Sequence, residues 1–270
     1  MNDPDSPVRR GESRSANSAL TNFLGAAQFL TRIPIRLRTA PQQAACVPWF
    51  PIVGALIGVA VGGVAAGMLE LVPAPVAAAV AVLVGVIATG AFHEDGLADL
   101  ADSMGGWTPE QRREILKDSR HGSYGVAALC GSIVLRILCI ATLGPAVAFA
   151  GLVTAHTFGR SAAVGVMIAR RDQQHTSNHG LSGGSIAGLH TGPALAGVTA
   201  GLAIGVLATG WWALPLALGA AVGASLVASL AVRALETING DALGAVEQVV
   251  EGIVLVMVTG LAARHPLWWT

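Results

Sequence analysis

Residues 49–72 read WFPIVGALIGVAVGGVAAGMLELV, an apolar run whose one charged residue, Glu70, stands near its end. A hydrocarbon core about 30 Å thick takes roughly twenty residues of helix, so a run of this length and composition predicts a membrane span. Helix is the forced conformation: backbone groups left unpaired in lipid are too costly, and the run lacks the alternation of a barrel strand. Gly54, Gly58 and Gly62 recur every four residues, which lines them up on one face suited to close helix packing.

Six more stretches follow the same reading: 74–92, 124–143, 145–168, 191–209, 211–232 and 243–263. Gly197, Gly201 and Gly205 repeat the four-residue glycine spacing in the fifth span. Over 270 residues, 53% are hydrophobic and 12% charged, against about 25% charged in an ordinary soluble domain. The expected fold is therefore all-α, a polytopic membrane helix bundle of about seven transmembrane helices. A formal net charge of zero offers no surface for nucleic acid, and the lipid bilayer is the partner this composition demands. Homo-oligomerisation is compatible with such a bundle. Cys46, Cys130 and Cys139 have no ligand-like spacing and read as small buried hydrophobes.

Residues 1–20 mix Asp3, Asp5 and Glu12 with Arg9, Arg10 and Arg14 and contain no apolar core of a signal peptide. They are expected to form a disordered cytoplasmic tail, leaving 21–270 as a single integral membrane catalytic domain. Within it, residues 20–33 place Leu20, Phe23, Leu24, Ala27 and Leu30 on one helical face, followed by Arg32, Arg36 and Arg38 around Pro34. That pattern predicts an amphipathic helix lying in the interface. Basic residues also crowd the connections after the second, fourth and sixth spans, while those near Pro73, Gly144 and Gly210 have none. The positive-inside rule then puts the N-terminal region and the three long loops in the cytoplasm, as expected of a multi-pass protein of the cell (inner) membrane.

Seven of the sixteen acidic residues fall between His93 and Arg120, in HEDGLADLADSMGGWTPEQRREILKDSR. Asp95, Asp99 and Asp102, spaced i, i+4, i+7, share one helical face. Like charges stacked this way repel, and Mg²⁺, which takes carboxylate oxygens and keeps waters or substrate phosphates, is the cation they suit. Gly105-Gly106 ends the helix. Thr108-Pro109-Glu110-Gln111 restarts one, with Thr as N-cap and Gln three residues on. Folding back at the glycines would let Asp118 face the carboxylate row. Asn239-Gly240-Asp241 adds a carboxylate before the last span, though such a tripeptide is commonly a turn. Mg²⁺ wants six oxygens and one helical face offers at most three carboxylates, so Asp118 and Asp241 are expected to complete the ligand set. Glu247 and Glu251 sit inside that span, where acids are functional or paired; Arg136 and Arg160, in the third and fourth spans, are the obvious partners. Residues 169–190 are polar, with His175 and His179, and read as a substrate-covering loop.

Residues His93-Glu94-Asp95-Gly96-Leu97-Ala98-Asp99 with Asp102 resemble the H-x-D-G-x-A-D-x-x-D motif of the cobalamin synthase family, the adenosylcobinamide-GDP ribazoletransferases. The resemblance continues through 29–34 (FLTRIP), 50–54 (FPIVG), 117–125 (KDSRHGSYG) and 239–245 (NGDALGA), where Asn239 replaces the usual Thr. It implies that a hydroxyl of α-ribazole, or of its 5′-phosphate, attacks adenosylcobinamide-GDP and expels GMP. A base is wanted for such attack, for which His93 or Asp102 is nearest. Arg32, Lys117, Arg120 and Arg160 are the residues expected to bind substrate. The enzyme rival is a CDP-alcohol phosphotransferase, whose pattern after D-G departs from Leu97-Ala98-Asp99. A metal-ion transporter is the rival of another class, and it would place paired acids near mid-membrane rather than in one loop.

Overall fold

The structure is a computed structural model that describes residues 7–118, 120–171 and 188–269, with side chains from residue 18 onward. Every regular element among the described residues is helical. Helix α1 (Pro7–Leu30) leads into the short α2 (Gln43–Cys46) and a 3₁₀ turn (Val47–Trp49). Then come α3 (Phe50–Leu69), α4 (Ala74–Thr89), α5 (Phe92–Ser103), α6 (Pro109–Ile115) and α7 (Ser123–Ala141). The chain continues with α8 (Pro145–Arg170), α9 (Thr191–Thr209), α10 (Ala213–Leu235) and α11 (Gly240–Ala262).

Each of the seven apolar stretches is helical, but the count of seven spans is not established. Among the described residues, five helical stretches are long and apolar enough to cross a membrane, or up to six if α4 and α5 together make one broken span. That count takes 191–235, interrupted at Gly210, as one stretch of 45 residues. The second expected span is also cut short. Helix α4 stops at Thr89, Gly90 and Ala91 both take left-handed backbone (φ 68° and 58°), and α5 leaves at 90° to α4. Such φ is cheap for glycine and costly for alanine. The Arg32 N–H donates to the Ala88 carbonyl at 2.8 Å, capping α4 at the break.

Helix α1 begins at Pro7, inside the stretch expected to be a tail, and ends at Leu30, before Pro34. Its inner face is the expected one in part: Leu30 is buried and Phe23 meets Trp49 edge-on, while Leu20 is exposed and Ala26, outside the expected set, is buried. Phe29 stacks on Phe50 and meets Phe92, so α1 lies across the end of the bundle where α3 starts and α5 runs. Helices α8 and α11 are the central ones, with most of their length buried; α7 is the most exposed span.

Both glycine ridges are packing faces. An added Cβ on Gly54, Gly58 or Gly62 would lie 2.5–3.0 Å from the backbone of His156, Val153 or Phe149, all on α8. An added Cβ on Gly197, Gly201 or Gly205 of α9 would crowd the Pro48 carbonyl, Ser161 Oγ or the Phe158 ring. At the end away from α5, Trp268 packs on Gly210 (φ 61°) and the Trp269 indole N–H donates to the Ala208 carbonyl at 2.9 Å. Cys46 and Cys139 are buried as expected, whereas Cys130 is exposed.

Gly58→Leu should lower the melting temperature in detergent by several degrees or prevent folding, because its Cβ would meet Val153 Cα at 2.6 Å and the Leu152 carbonyl at 2.8 Å. Overpacking of this kind costs about 1–3 kcal/mol. Gly63→Leu, with nothing within 4 Å, should melt like the parent.

Candidate active site

Helix α5 is fixed at its far end by Asp102. Both carboxylate oxygens accept backbone N–H groups at the start of α7: Gly122 N–H to Oδ2 at 2.7 Å and Gly125 N–H to Oδ1 at 2.8 Å. A carboxylate at a helix N-terminus satisfies donors that have no partner within the helix and meets the positive end of its dipole. The two glycines make room: a Cβ on Gly125 would fall 2.2 Å from Asp102 Oδ2. Asp102, expected as ligand and base, is thereby a buried anchor.

The sequel of α5 follows the capping prediction. Thr108 and Gln111 form a reciprocal capping box at the start of α6. That helix docks on the end of α10, where Arg112 and Arg113 donate to the carbonyls of Ala234 and Leu235 and Arg113 pairs with Glu236. Cations at a helix C-terminus complement the dipole and the unpaired carbonyls.

On the outward face of α5, Asp95 and Asp99 flank His121. His121 Nε2 is 3.9 Å from Asp95 and Nδ1 is 3.8 Å from Asp99. Asp241, at the start of α11, joins them, because the α11 backbone lies against Gly96: a Cβ there would be 2.8 Å from the Asp241 carbonyl. The tripeptide before it is a helix cap as well as a carboxylate source. Asn239 accepts the Ala242 N–H at 2.9 Å and donates to Asp241 Oδ2 at 2.8 Å. Asp99, at the bundle end outside the spans, is raised to about 6, first by burial and then by the charges of Asp95 and Asp241.

Beneath this face lies a buried ion cluster. Arg136 on α7 donates twice to Glu94 Oε1, both at 3.1 Å, and stands 3.6 Å from Glu251. Arg160 on α8 pairs with Glu251, whose Oε1 is also 2.7 Å from His156 Nδ1. His93 Nε2 and Arg160 Nε lie 2.7 and 3.3 Å from Glu247 Oε2, close in distance though out of line for hydrogen bonds. Arg160 Nη2 faces His93 Nδ1 at 3.2 Å, a contact in which the guanidinium can only donate. All seven side chains are buried.

The expected pairing of Glu247 and Glu251 with Arg136 and Arg160 is thus present. It also changes two expectations: Arg160 and His93, taken as substrate-binding and catalytic, have no exposed surface to offer. Asp118 pairs with Arg120 at 2.7 Å, both on the exposed segment after α6, and is held at about 2 by that arginine. Lys117 is exposed on the same segment, and Arg32 lies over Gly90. His175 and His179 lie outside the described residues. Three participants escaped the sequence reading. Glu94 and His156 were legible as ionisable residues within or bordering apolar spans, whereas nothing singled out His121 within its motif.

Among the described residues no three His, Cys, Asp or Glu side chains are gathered to hold a metal ion. The donor set still suits Mg²⁺, which keeps several waters and is usually held by one or two carboxylates plus substrate phosphates. Asp99, crowded by Asp95 and Asp241, is a carboxylate whose charge a cation would relieve.

Together these features define a polytopic membrane protein with an acidic cluster at one polar end of a helix bundle. The sequence profile of the family described as cobalamin-5-phosphate synthase matches residues 22–259, and the chain belongs to that family. Among its relatives, an adenosylcobinamide-GDP ribazoletransferase of Shewanella baltica is 33% identical, covering 89% of this chain and 94% of the relative. Proteins of the same name from Ralstonia nicotianae and Chlorobaculum tepidum are 34% and 32% identical, covering 84% and 88% of this chain and 90% and 94% of theirs. No solved structure matches.

Arg160→Leu would strand Glu247 and Glu251 without their shared cation. Removing one partner of a buried pair costs about 3–5 kcal/mol, so the variant should unfold at clearly lower temperature in detergent or accumulate poorly. Lys117→Leu, at an exposed position, should leave the melt unchanged.

Proposed function

We propose that this chain is an adenosylcobinamide-GDP ribazoletransferase, joining α-ribazole or its 5′-phosphate to adenosylcobinamide-GDP. The observation that carries the site assignment is the convergence of Asp95, Asp99 and Asp241 around the outward face of α5, with His121 between the first two. The acceptor hydroxyl attacks the cobinamide-bound phosphorus, the bond from that phosphorus to the bridging oxygen breaks, and GMP leaves carrying that oxygen. One or two of Asp95, Asp99 and Asp241, together with substrate phosphates, would hold Mg²⁺, which supplies charge neutralisation on the leaving phosphate when bound. His121, half exposed beside the carboxylates, replaces buried His93 as the group to accept the hydroxyl proton. Lys117, Arg120 and Arg32 are the exposed basic groups for the anionic pyrophosphate.

The bilayer is that of the cell inner membrane, and the end bearing α5 faces the cytoplasm, since the basic connections gather there. The transporter reading loses its permeation path, because the acids at membrane depth are engaged by Arg136 and Arg160.

Purified protein given adenosylcobinamide-GDP, α-ribazole and Mg²⁺ should release GMP, measured by chromatography, and release should stop with EDTA. Asp95→Asn and Asp99→Asn should each lower turnover by about two orders of magnitude or more with unchanged melting. Activity that survives both changes would remove these carboxylates from the reaction.

The Asp99 value sets a pH dependence. Its carboxyl is raised to about 6, so below that pH a proton competes with the cation, and above it the competition ends. Apparent Mg²⁺ affinity should therefore be about tenfold weaker at pH 5 than at pH 7, by titration of activity, and Asp99→Asn should flatten that difference.

A further inference from the structure

Helices α8, α9 and α10 do not close on one another. Between them lies a cavity of about 410 Å³, a size that takes a small ligand. Phe158, Val166, Val198 and Leu202 form its apolar walls, and alanines from Ala217 to Ala228 line the α10 side. Two of its serines add little polarity, because Ser161 donates to the Thr157 carbonyl at 2.8 Å and Ser225 to the Ala221 carbonyl at 2.7 Å. From Phe158 to Arg170 the groove follows α8 for about 18 Å at 1.5 Å per residue, comparable to the depth of one leaflet's hydrocarbon.

Two observations name the occupant. Leu202, Ala221 and Ser225 line the groove and are exposed, so it opens sideways to the bilayer, where acyl chains are the apolar material at hand. Arg170 lines its polar end, in the last turn of α8, at the end of the bundle that also carries Arg171 and exposed Arg233. We propose that this groove holds one acyl chain of an anionic phospholipid, with the headgroup phosphate at Arg170. Arginine suits that headgroup because its planar fork matches phosphate oxygens. Water is excluded by the apolar walls, since dry cavities are the apolar ones.

Gly165 supplies the test. It lines the groove, and a Cβ on it would meet nothing within 4 Å, so Gly165→Phe fills the space without displacing backbone. Ala221→Leu, at an exposed position on the opposite wall, is the second filling variant. The protein is reconstituted with equal amounts of phosphatidylglycerol and phosphatidylcholine, washed extensively in mild detergent and weighed by native mass spectrometry. The expected result is about one phosphatidylglycerol per wild-type chain, at least tenfold less in both filled variants. With Arg170→Gln, lipid should still be held but without headgroup preference. Absence of retained lipid, equal retention of both lipids by the wild type, or unchanged retention in a filled variant that melts normally would each overturn the proposal. A filled variant that loses an oligomer while the wild type holds no lipid would assign the groove to a second copy of the chain instead.

Discussion

Ionised side chains inside a membrane bundle are tolerated only when they answer one another, and here a single chain of such answers runs through four helices. Glu94 of α5 is held by Arg136 of α7; Arg136 and Arg160 both reach Glu251 of α11; Arg160 and His93 both reach Glu247. Taking such charges out of water is costly, and their mutual attraction offsets the cost only when partners are close and numerous. Replacing them all by apolar residues could be as stable; what the cluster adds is register, since each charge accepts few alternative positions. Helices α5, α7, α8 and α11 therefore have one mutual arrangement.

The placement of the outward carboxylates follows from that arrangement. Helix α5 is short and leaves α4 at 90°, so by itself it would be a poorly constrained surface element. His93 and Glu94 plug its first turn into the ion cluster, Gly96 presses it against the α11 backbone, and Asp102 ties its last turn to the start of α7. Its first turn, its middle and its last turn are thus each held. Asp95 and Asp99 are left pointing outward from a helix held along its length, which is the preorganisation a phosphoryl-transfer site requires.

Much of this was legible in the residues, and where it was not the reasons are physical. Apolar length marked the helices, and glycine spacing marked the α3–α8 and α9–α8 contacts, because both depend on local composition alone. The capping box at Thr108 and Gln111 was readable for the same reason. The i, i+4, i+7 spacing placed Asp95, Asp99 and Asp102 on one side of a helix, but could not show that Asp102 would turn toward backbone N–H groups twenty residues away. Nor could it place the bend at Gly90-Ala91, since Ala91 in left-handed backbone has no local signature. That His93 and Arg160 sit in the buried ion cluster was not legible, because a charged or titratable residue reads alike whether it faces substrate or another buried charge. Burial decides between the two, and burial is tertiary.

The protein in consequence keeps two populations of acid in different electrostatic regimes, a few residues apart. Glu94, Glu247 and Glu251 are matched by guanidinium groups in a low-dielectric interior, where a pair is strong and a lone charge is expelled. Asp95, Asp99 and Asp241 repel one another, and among the described residues no arginine pairs with them; the imidazole of His121 lies nearly 4 Å from Asp95 and Asp99. Burial, and after it the charges of Asp95 and Asp241, raise the Asp99 carboxyl to about 6. If the outer acids were there for stability, pairing them with the nearby Arg120 would have been the simpler arrangement, yet Arg120 is engaged by Asp118. An anchored helix that presents mutually repelling carboxylates is stabilised by whatever positive charge comes to it, and a nucleotide-expelling transferase needs such a charge where its leaving phosphate will be.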